Sequence, residues 1–570
     1  MKDIPQYLKQ YIVEQNYSQY SPIDHACWRF IMRLNKAYFS NHAHSKYLEG
    51  LDKTGITIEE IPKIDNINKK LQKFGWSAVG VKGFLPPLIF MDFQSRGILP
   101  IACDMRSIEH LTYTPAPDIV HEAAGHSPMI ADHDYAEYLK YYGQIAHKAI
   151  SSSEDYDLYI AIRELSDIKE DPSSTELEIE QSEEKLKKAS EAISYISEAA
   201  YLARINWWTV EYGLIGNISN PKIYGAGLLS SIGESENCLK DSIKKIPLSI
   251  NCIDYNYDIT EQQPQLFISK DFKSLNLILD QFSSKMAYKV GGLEGLKKAV
   301  QSKTICTALL NSGVQVSGQF QSIMDDKLSY IQLSGPTQIC YKNQQIDGHG
   351  VDRHPEGFGF PIGPLSNKLC INQLSQKKFS ELGYKINKKI ELEFESKVII
   401  EGKIKNILEK DSKIKIITFS DCTVSHNGTV LFNPEWGEYD LVCSESIESV
   451  FGGAADMDSY YHPQTEYSQI QKLNKRISQS NIDQELNKIY SDIRSIRNNG
   501  VNMDELKKLF DRLSKNYPDD WLAKLEIYEI VYDAEFAGWA AEIKESIQLK
   551  AKEESDLSKA IKNSIQLIEK

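Results

Sequence analysis

The chain has 570 residues, several times the usual size of one domain, so the sequence predicts two to four domains and at least one large core. With 41% hydrophobic and 25% charged residues, its composition is typical of globular proteins and excludes wholesale disorder, a collagen repeat or a coiled-coil rod. The formal net charge of −14 disfavours general nucleic-acid binding, because such a chain repels phosphate on average.

The first part of the chain, residues 1–310, is predicted to be a mainly α-helical domain. Segments 27–39 and 199–215 place apolar residues three to four positions apart, which is typical of amphipathic helices. Residues 151–195 form an acidic helical insertion in this part. We expect a solvated surface insertion, with a partner-docking arm as the alternative.

The pattern changes after residue 310. Between 311 and 455, segments such as KIELEFESKVIIEGKI are rich in β-branched residues and are separated by Asp, Asn and Gly, which predicts a small β-rich domain of unknown role. Residues 456–570 return to the helical period and predict an α-helical C-terminal region. We expect this extension to form its own core, separate from that of residues 1–310.

The most informative local pattern is TPAPDIVHEAAGHSP, residues 114–128, which predicts a short helix that Pro128 ends. It carries His121 and His126, whose spacing of five separates them by about 140° on a straight α-helix. They could share a metal only if the helix loosens near Gly125. Otherwise one histidine is a hydrogen-bonded core residue and the other lies at the surface.

A candidate third ligand is Glu211, in the segment WWTVEYGL, residues 207–214. A carboxylate among so many apolar side chains is costly unless it meets a cation. Two histidines and one carboxylate form the facial triad of non-heme Fe(II) sites, which leaves three positions open. Zinc hydrolysis is the competing use of such a set.

Together with YGAGLLSSIGE, residues 224–234, these two segments resemble the signature segments of the tetrahydropterin-dependent aromatic amino acid hydroxylases, above all the phenylalanine-hydroxylating members. The resemblance covers about residues 60–300. It implies the helical catalytic fold of that family, with Fe(II) and a tetrahydropterin, tetrahydrobiopterin or a related reduced pterin, as cofactors. It also implies that the metal ligands are His121, His126 and Glu211.

The resemblance assigns further residues position by position. The implied substrate-binding residues are Arg106, Thr114, Trp207 and Ser230. The implied pterin-binding residues are Gly83, Leu85, Phe90 and Glu122. Two acids are implied catalytic residues: Glu122 helps to hold pterin and water, and Asp118 orients a ligand histidine, a role that metal sites often require.

The resemblance therefore implies an oxidoreductase, a monooxygenase that uses O₂ to hydroxylate the ring of an aromatic L-amino acid, most naturally L-phenylalanine to L-tyrosine in phenylalanine catabolism. Trp207 favours phenylalanine or tyrosine over tryptophan as substrate. The alternatives are a tyrosine or tryptophan hydroxylase of the same family, a zinc hydrolase, and a catalytically degenerate binding protein. Since every implied contact lies before residue 310, we expect a chain ending near Ser312 to retain hydroxylation.

The extension contains one unusual loop, residues 347–363. Its His349, Asp352, His354 and Glu356 could bind a metal, but so many glycines also describe a structural, docking or lid-like loop. A protein partner for the extension is a further possibility.

The cysteines and the apolar runs indicate the compartment. The nine cysteines form no C-x-x-C pair, which suits a reducing environment. The N-terminal segment lacks the apolar region of a secretion signal, and no run approaches the roughly 18 apolar residues of a membrane span. We therefore expect a cytoplasmic protein that contacts neither membrane nor nucleic acid.

Overall fold

The computed structural model describes residues 4–112, 117–170, 174–257, 262–324, 328–461, 483–500, 502–534, 537–552 and 555–570. Thr114, one of the implied substrate-binding residues, lies outside the described residues. All nine cysteines are free thiols, as expected for a reducing environment.

Helices dominate the first three hundred residues. They are α1 (Gln6–Lys9), α2 (Pro22–His42), α3 (Tyr47–Thr54), α4 (Ile64–Leu71), α5 (Pro87–Ser95), α6 (His133–Ala146), α7 (Ser153–Glu170), α8 (Glu176–Glu191), α9 (Glu198–Asn206), α10 (Ala226–Leu229), α11 (Ile232–Asn237), α12 (Phe272–Ser283), α13 (Ala287–Val290) and α14 (Gly292–Ser302). Two π-helical segments, Val120–His126 and Trp207–Glu211, interrupt this pattern.

Two small sheets accompany these helices. The parallel pair consists of β1 (Ser77–Val81) and β2 (Ile98–Ala102), with Ser77 opposite Ile98. The second sheet has the order β4-β3-β6-β5 and consists of β3 (Leu214–Asn217), β4 (Asn220–Ile223), β5 (Lys244–Pro247) and β6 (Gln265–Ser269). The predicted helix over 199–215 is therefore too long, because α9 gives way to a π-helical segment and then to β3.

The acidic insertion is a pair of helices, α7 and α8. One face of α7 is buried through Ala161 and Leu165, whereas most of α8 is exposed. The Tyr159 hydroxyl on α7 donates to the Phe84 carbonyl oxygen at 3.1 Å, so the insertion reaches the loop that precedes α5.

The β-rich region begins with β7 (Ile305–Leu310), a few residues before the boundary expected from the sequence. Its other strands are β8 (Val314–Met324), β9 (Tyr330–Tyr341), β10 (Gln344–Gln345), β11 (Gly357–Pro361), β12 (Lys389–Glu393), β13 (Val398–Lys410), β14 (Lys413–His426), β15 (Thr429–Phe432), β16 (Tyr439–Val442) and β17 (Ile447–Gly452). A short helix, α15 (Gln376–Glu381), interrupts them, and α16 (Met457–Tyr460) follows.

These strands form two antiparallel sheets. The first sheet has the order β10-β9-β8-β7-β17, with β11 also paired to β9. The second has the order β12-β13-β14-β15, with β16 also paired to β14. The first sheet buries one apolar cluster with α13 and α14, and the second buries another with α15.

The last helices are α17 (Gln484–Asn499), α18 (Met503–Asn516), α19 (Trp521–Asp533), α20 (Ala537–Lys550) and α21 (Asp556–Ile568). Their apolar residues belong to the same buried cluster as those of α2, α6 and α9. The Trp521 ring on α19 packs edge-on against Phe30 on α2, with centroids 5.0 Å apart. The expectation that the whole extension forms a separate core is therefore wrong for these helices.

A buried ion cluster reinforces the same contact. Arg29 on α2 donates to Glu526 at 3.0 Å and, through Nη2, to Glu529 at 2.7 Å, both on α19. Arg33 also pairs with Glu529, and Arg497 on α17 pairs with Glu526 at 2.5 Å. Burial of these charges is tolerated because each one faces a partner of opposite sign.

Within the described residues, none of the helices combines the length and the apolar character needed to span a bilayer.

Candidate active site

The two histidines of residues 114–128 meet because their segment is π-helical. In a π-helix each backbone N–H bonds to the carbonyl five residues earlier, so positions five apart lie one above the other. The Nε2 atoms of His121 and His126 are 3.2 Å apart. An α-helix that loosens only at its end is therefore the wrong description, since the whole segment Val120–His126 is π-helical.

Gly125 has a different role from the one expected. A Cβ atom there would lie 2.7 Å from the Ala226 carbonyl oxygen on α10, so only glycine fits. The residue allows α10, which precedes Ser230, to approach the histidine segment closely. Gly125 therefore contributes by having no side chain where α10 packs; it does not act by loosening the end of the helix.

Glu211 completes the cluster from the second π-helical segment. Its Oε2 lies 3.3 Å from His121 Nε2, and its Oε1 lies 3.5 Å from His126 Nε2. A metal about 2.2 Å from three ligands at right angles separates neighbouring ligand atoms by roughly 3.1 Å. The two imidazole nitrogens and the two oxygens of the Glu211 carboxylate thus lie close enough together to surround one ion, and the donor set fits a divalent iron.

The charges in this cluster support one another. Burial lowers the pKa of His121, but Glu211 and Glu122 outweigh it and raise that pKa to about 9. Burial alone would raise the pKa of Glu211, yet the two histidines hold it well below its usual range. Without a metal the carboxylate is therefore ionised beside a cationic imidazole.

Glu122 lies beside the ligands rather than among them. Its Oε2 is buried, has no hydrogen-bond partner within the described residues, and lies 3.8 Å from His126 Nε2. Burial raises the pKa of this carboxyl, whereas the neighbouring histidines act in the opposite direction. A buried, unpartnered carboxyl oxygen at this point can accept a hydrogen bond from a bound ligand or, when protonated, donate one to it.

Arg106 and Asp118 form a buried bidentate ion pair. Arg106 Nε donates to Asp118 Oδ2 at 2.7 Å, and Nη2 donates to Oδ1 at 2.8 Å. Burial would raise the pKa of Asp118, but the Arg106 guanidinium and two backbone N–H groups hold it below its usual value. A third donor, Arg106 Nη1, bonds to the Ser230 carbonyl at 3.2 Å. Within the described residues, two of the five guanidinium N–H groups have no acceptor and can bind another one.

Asp118 was expected to orient a ligand histidine. Its Oδ1 accepts a hydrogen bond from the backbone N–H of His121 at 3.0 Å. The His121 ring is held by the Ser230 hydroxyl, which lies 3.1 Å from Nδ1. Asp118 therefore fixes the start of the histidine segment and the arginine, and Ser230 fixes the imidazole.

Trp207 lies one π-helical turn before Glu211, at a half-buried position. The rings of Tyr212 and Tyr257 stack on it, with centroid distances of 4.5 and 4.3 Å. Its indole Nε1–H donates to Gln263 Oε1 at 3.3 Å. The indole is thus locked in one orientation beside the ligand cluster.

The three remaining pterin-binding candidates lie on and before α5. Gly83 has φ +61°, a conformation that favours glycine, and its N–H donates to Asp104 Oδ2 at 3.3 Å. Leu85 packs against the small apolar cluster beside β1, and Phe90 is half-buried on α5. The loop therefore keeps a fixed shape through Asp104 and through the Tyr159 contact.

Comparison with known proteins identifies the family. A family model described as "Biopterin-dependent aromatic amino acid hydroxylase" matches residues 6–158 and 168–322, more than half of the chain. The chain belongs to this family. It is a pterin-dependent aromatic amino acid hydroxylase, and Fe(II) and a tetrahydropterin are its cofactors.

Among its relatives, the phenylalanine-4-hydroxylase of Pseudomonas aeruginosa is 27% identical over 274 residues, 47% of this chain and 87% of the relative. That of Chromobacterium violaceum is 27% identical over 268 residues, 46% of this chain and 75% of the relative. A crystal structure of the Chromobacterium violaceum phenylalanine hydroxylase with Fe(III) is 25% identical, covers 48% of this chain and 86% of that chain, and has a TM-score of 0.38.

Sequence reasoning missed several residues of this hydroxylase that hold others in place. Tyr257 and Gln263 fix Trp207, but they lie in a loop region without a helical or strand pattern. Asp104 fixes Gly83, and only its closeness to Arg106 in the sequence could have indicated it. The family match also starts earlier than the expected residue 60, because α2 and α3 belong to the catalytic fold.

Proposed function

We propose that this hydroxylase converts L-phenylalanine to L-tyrosine, with iron held by His121, His126 and Glu211. The observation that carries the proposal is the set of 3.2–3.5 Å distances that joins the two imidazole Nε2 atoms to each other and each of them to one oxygen of Glu211, on two π-helical segments. The relatives named above, all phenylalanine-4-hydroxylases, support phenylalanine as the substrate.

Arg106 is the proposed anchor for the substrate carboxylate. Its two N–H groups that are left over from Asp118 and Ser230 can form charge-assisted hydrogen bonds. The guanidinium is already oriented before substrate arrives, so little side-chain entropy is lost on binding. Trp207, locked by its stacked tyrosines, forms one wall for the aromatic ring.

Glu122, Gly83, Leu85 and Phe90 are the proposed pterin-binding residues. Phe90 offers a ring face for stacking, and Gly83 allows close approach to the loop backbone. The buried Glu122 oxygen without a partner in the described part of the chain is positioned to hold the pterin or a water beside the metal ligands. When bound, Fe(II) and the tetrahydropterin supply the electrons that reduce O₂, one atom of which enters the substrate ring.

The decisive experiment is turnover by iron-loaded protein with a tetrahydropterin and, in turn, phenylalanine, tyrosine and tryptophan. We expect phenylalanine to give a product that is heavier by about 16 Da, the mass of one oxygen atom. The position of the new hydroxyl group on the ring should identify this product as L-tyrosine. Preferential hydroxylation of tyrosine or tryptophan would change the substrate assignment. Binding of phenylalanine without product would support the degenerate binding protein instead.

Glu211→Gln tests the metal ligand. We expect loss of stoichiometric iron and of turnover with an unchanged far-ultraviolet spectrum, because an amide is a weaker ligand than a carboxylate. Glu137→Gln, an exposed position on α6, is the matched control and should keep full activity. Full activity in the Glu211 variant would remove this residue from the metal site.

Arg106→Lys tests the substrate anchor. An ammonium replaces the two-pronged guanidinium, so we expect binding to weaken by about 1.5–3 kcal/mol, a rise in KM of roughly tenfold or more. Iron content should stay near one per chain. An unchanged KM would show that Arg106 only holds Asp118.

A further inference from the structure

A second group of metal-ligand residues lies in the β-rich region, outside the part that the family model matches. The loop of residues 346–356 joins β10 to β11 and carries His349 and His354. Strand β9 fixes this loop: Ile339 N–H donates to the His349 carbonyl at 2.9 Å, and Thr337 N–H donates to the His354 carbonyl at 3.0 Å. Both histidines are therefore held in place by the first sheet.

The third residue, Asp440, lies on β16 in the second sheet. Its Oδ2 lies 3.4 Å from His354 Nε2 and 3.7 Å from His349 Nδ1. All three donor atoms lie within 4.8 Å of one another. The cluster thus joins a loop on the first sheet to a strand of the second sheet, and Ile416 and Val442 of that second sheet also pack into the apolar cluster of the first.

The two imidazole nitrogens are buried without a partner. His349 and His354 are each 9% exposed, and neither His349 Nδ1 nor His354 Nε2 forms a hydrogen bond within the described residues. An unpaired buried polar atom is destabilising, and here two of them lie beside one carboxylate. A cation between them would satisfy all three groups at once.

The spacing fits a small transition-metal ion. Ligand atoms about 2.0–2.1 Å from Zn²⁺ at tetrahedral angles lie roughly 3.3 Å apart. The observed separations of 3.4 and 3.7 Å require only a small closure of the side chains. Three protein ligands leave the fourth position for water or another donor.

Arg353 is the cation already near this carboxylate. Its Nε donates to Asp440 Oδ2 at 3.0 Å, and its Nη2 donates to Glu438 at 2.9 Å. A carboxylate oxygen has two lone pairs, so Oδ2 can accept this hydrogen bond and bind a metal with the other pair. Thr418 donates to Oδ1 at 2.6 Å and fixes the orientation of the carboxylate.

We propose that His349, His354 and Asp440 bind a divalent transition-metal ion, represented by Zn²⁺, that fastens the 346–356 loop of the first sheet to β16 of the second. Asp352 and Glu356, which the sequence also suggested as ligands, are exposed and lie outside the cluster. The site acts as a structural link, because two ligands come from a loop that β9 holds in place and the third comes from β16.

The experiment is a calorimetric titration of the full chain with Zn²⁺. The double variant His121→Gln, Glu211→Gln removes two of the three competing ligands, and we expect it to bind one Zn²⁺ per chain. Adding His354→Gln should remove that binding and the accompanying rise in melting temperature. Adding His426→Gln instead, a half-buried histidine on β14, is the matched control and should leave both unchanged.

Absence of Zn²⁺ binding by the double variant, or equal binding with and without His354→Gln, would overturn the proposal. A second measurement uses iron-loaded wild-type protein, so it does not require any variant to fold. This protein should take up one further Zn²⁺ while iron content and hydroxylation stay constant. Displacement of iron with no additional uptake would also overturn the proposal.

Discussion

The β-rich region and the C-terminal helices both follow the catalytic part in the chain, yet they are integrated in different ways. The two antiparallel sheets each bury an apolar cluster that is distinct from the main core. Helices α17 to α21 instead contribute to the same cluster as α2, α6 and α9. A region that is remote in sequence thus completes the core of the catalytic domain, whereas the nearer one does not.

This difference teaches that order along the chain does not predict which parts fold together. Helix α19 packs on the apolar face of α2, where the Trp521 ring lies against Phe30. The charges of Arg29 and Arg33 need partners, which Glu526 and Glu529 supply from the same helix. Among the described residues, the two sheets of the β-rich region make no comparable contribution to α2.

Among the changes that test this difference, removal of residues 462–570 should have the largest effect on the folding of the catalytic part. It exposes the apolar face of α2 and leaves Arg29 with only Glu59 among its present acidic partners. We expect the shortened chain to be aggregated or to lack stoichiometric iron, as measured by size-exclusion chromatography and metal analysis. A soluble, iron-loaded and active product would show that the helices are an independent addition, and would restore the expectation of an active chain ending near Ser312.

Trp521→Ala should lower the free energy of unfolding by about 3–5 kcal/mol, since a buried indole leaves a cavity between α19 and α2. Trp436→Ala in the β-rich region is the control, because that side chain is 66% exposed, and its effect should stay within about 0.5 kcal/mol. Chemical denaturation followed by circular dichroism measures both. Equal effects would contradict the shared core.

Glu529→Ala should destabilise the fold by about 3 kcal/mol, because it leaves the guanidinium groups of Arg29 and Arg33 short of a buried partner. The control at the same contact is Glu60→Ala, which breaks the exposed pair with Arg494 and should cost less than about 1 kcal/mol. If both variants unfold at the same denaturant concentration, the buried cluster contributes no more than a surface ion pair.

A smaller effect concerns Glu234 on α11, which faces Asp556 at the start of α21. Burial and the Asp556 charge raise the pKa of Glu234 to about 7, although the Gln263 N–H acts in the opposite direction. Because this folded-state pKa exceeds the ordinary value of 4.5, protonated Glu234 stabilises the fold at low pH. That contribution is lost as the pH rises to about 7. Relative to wild type, Glu234→Gln should therefore gain roughly 2 kcal/mol between pH 4.5 and 8.

Denaturation at both pH values measures this gain. A pH-independent difference for Glu234→Gln would indicate that this carboxyl ionises normally and that α21 does not desolvate it.

The chemistry of the site was easier to predict than its geometry. His121, His126 and Glu211 were candidates for a facial triad from their residue types, and the resemblance of their segments to those of the family implied that they are the ligands. Their spacing of five argued against a shared metal on an α-helix, and only the π-helical backbone removes that conflict. A π-helix has no signal in apolar periodicity, since it arises from packing such as that of Gly125 on Ala226.

Long-range contacts were the other limit. The period of residues 521–533 predicted a helix, and α19 confirms it. Nothing in that period shows that its partner is α2, because the complementary residues, Arg29 and Glu529, lie 500 positions apart. Similarly, His349 and His354 were visible as ligands, whereas Asp440 was not, since it lies on a strand of another sheet.

The distance between α2 and α19 has a consequence for biosynthesis. Arg29 leaves the ribosome 497 residues before Glu526 and 500 residues before Glu529. At a synthesis rate of about 5–20 residues per second, the apolar face of α2 stays exposed for on the order of 25–100 s until α19 has been made. During that interval the nascent catalytic part presents uncovered apolar surface, a substrate for chaperones that bind such surface.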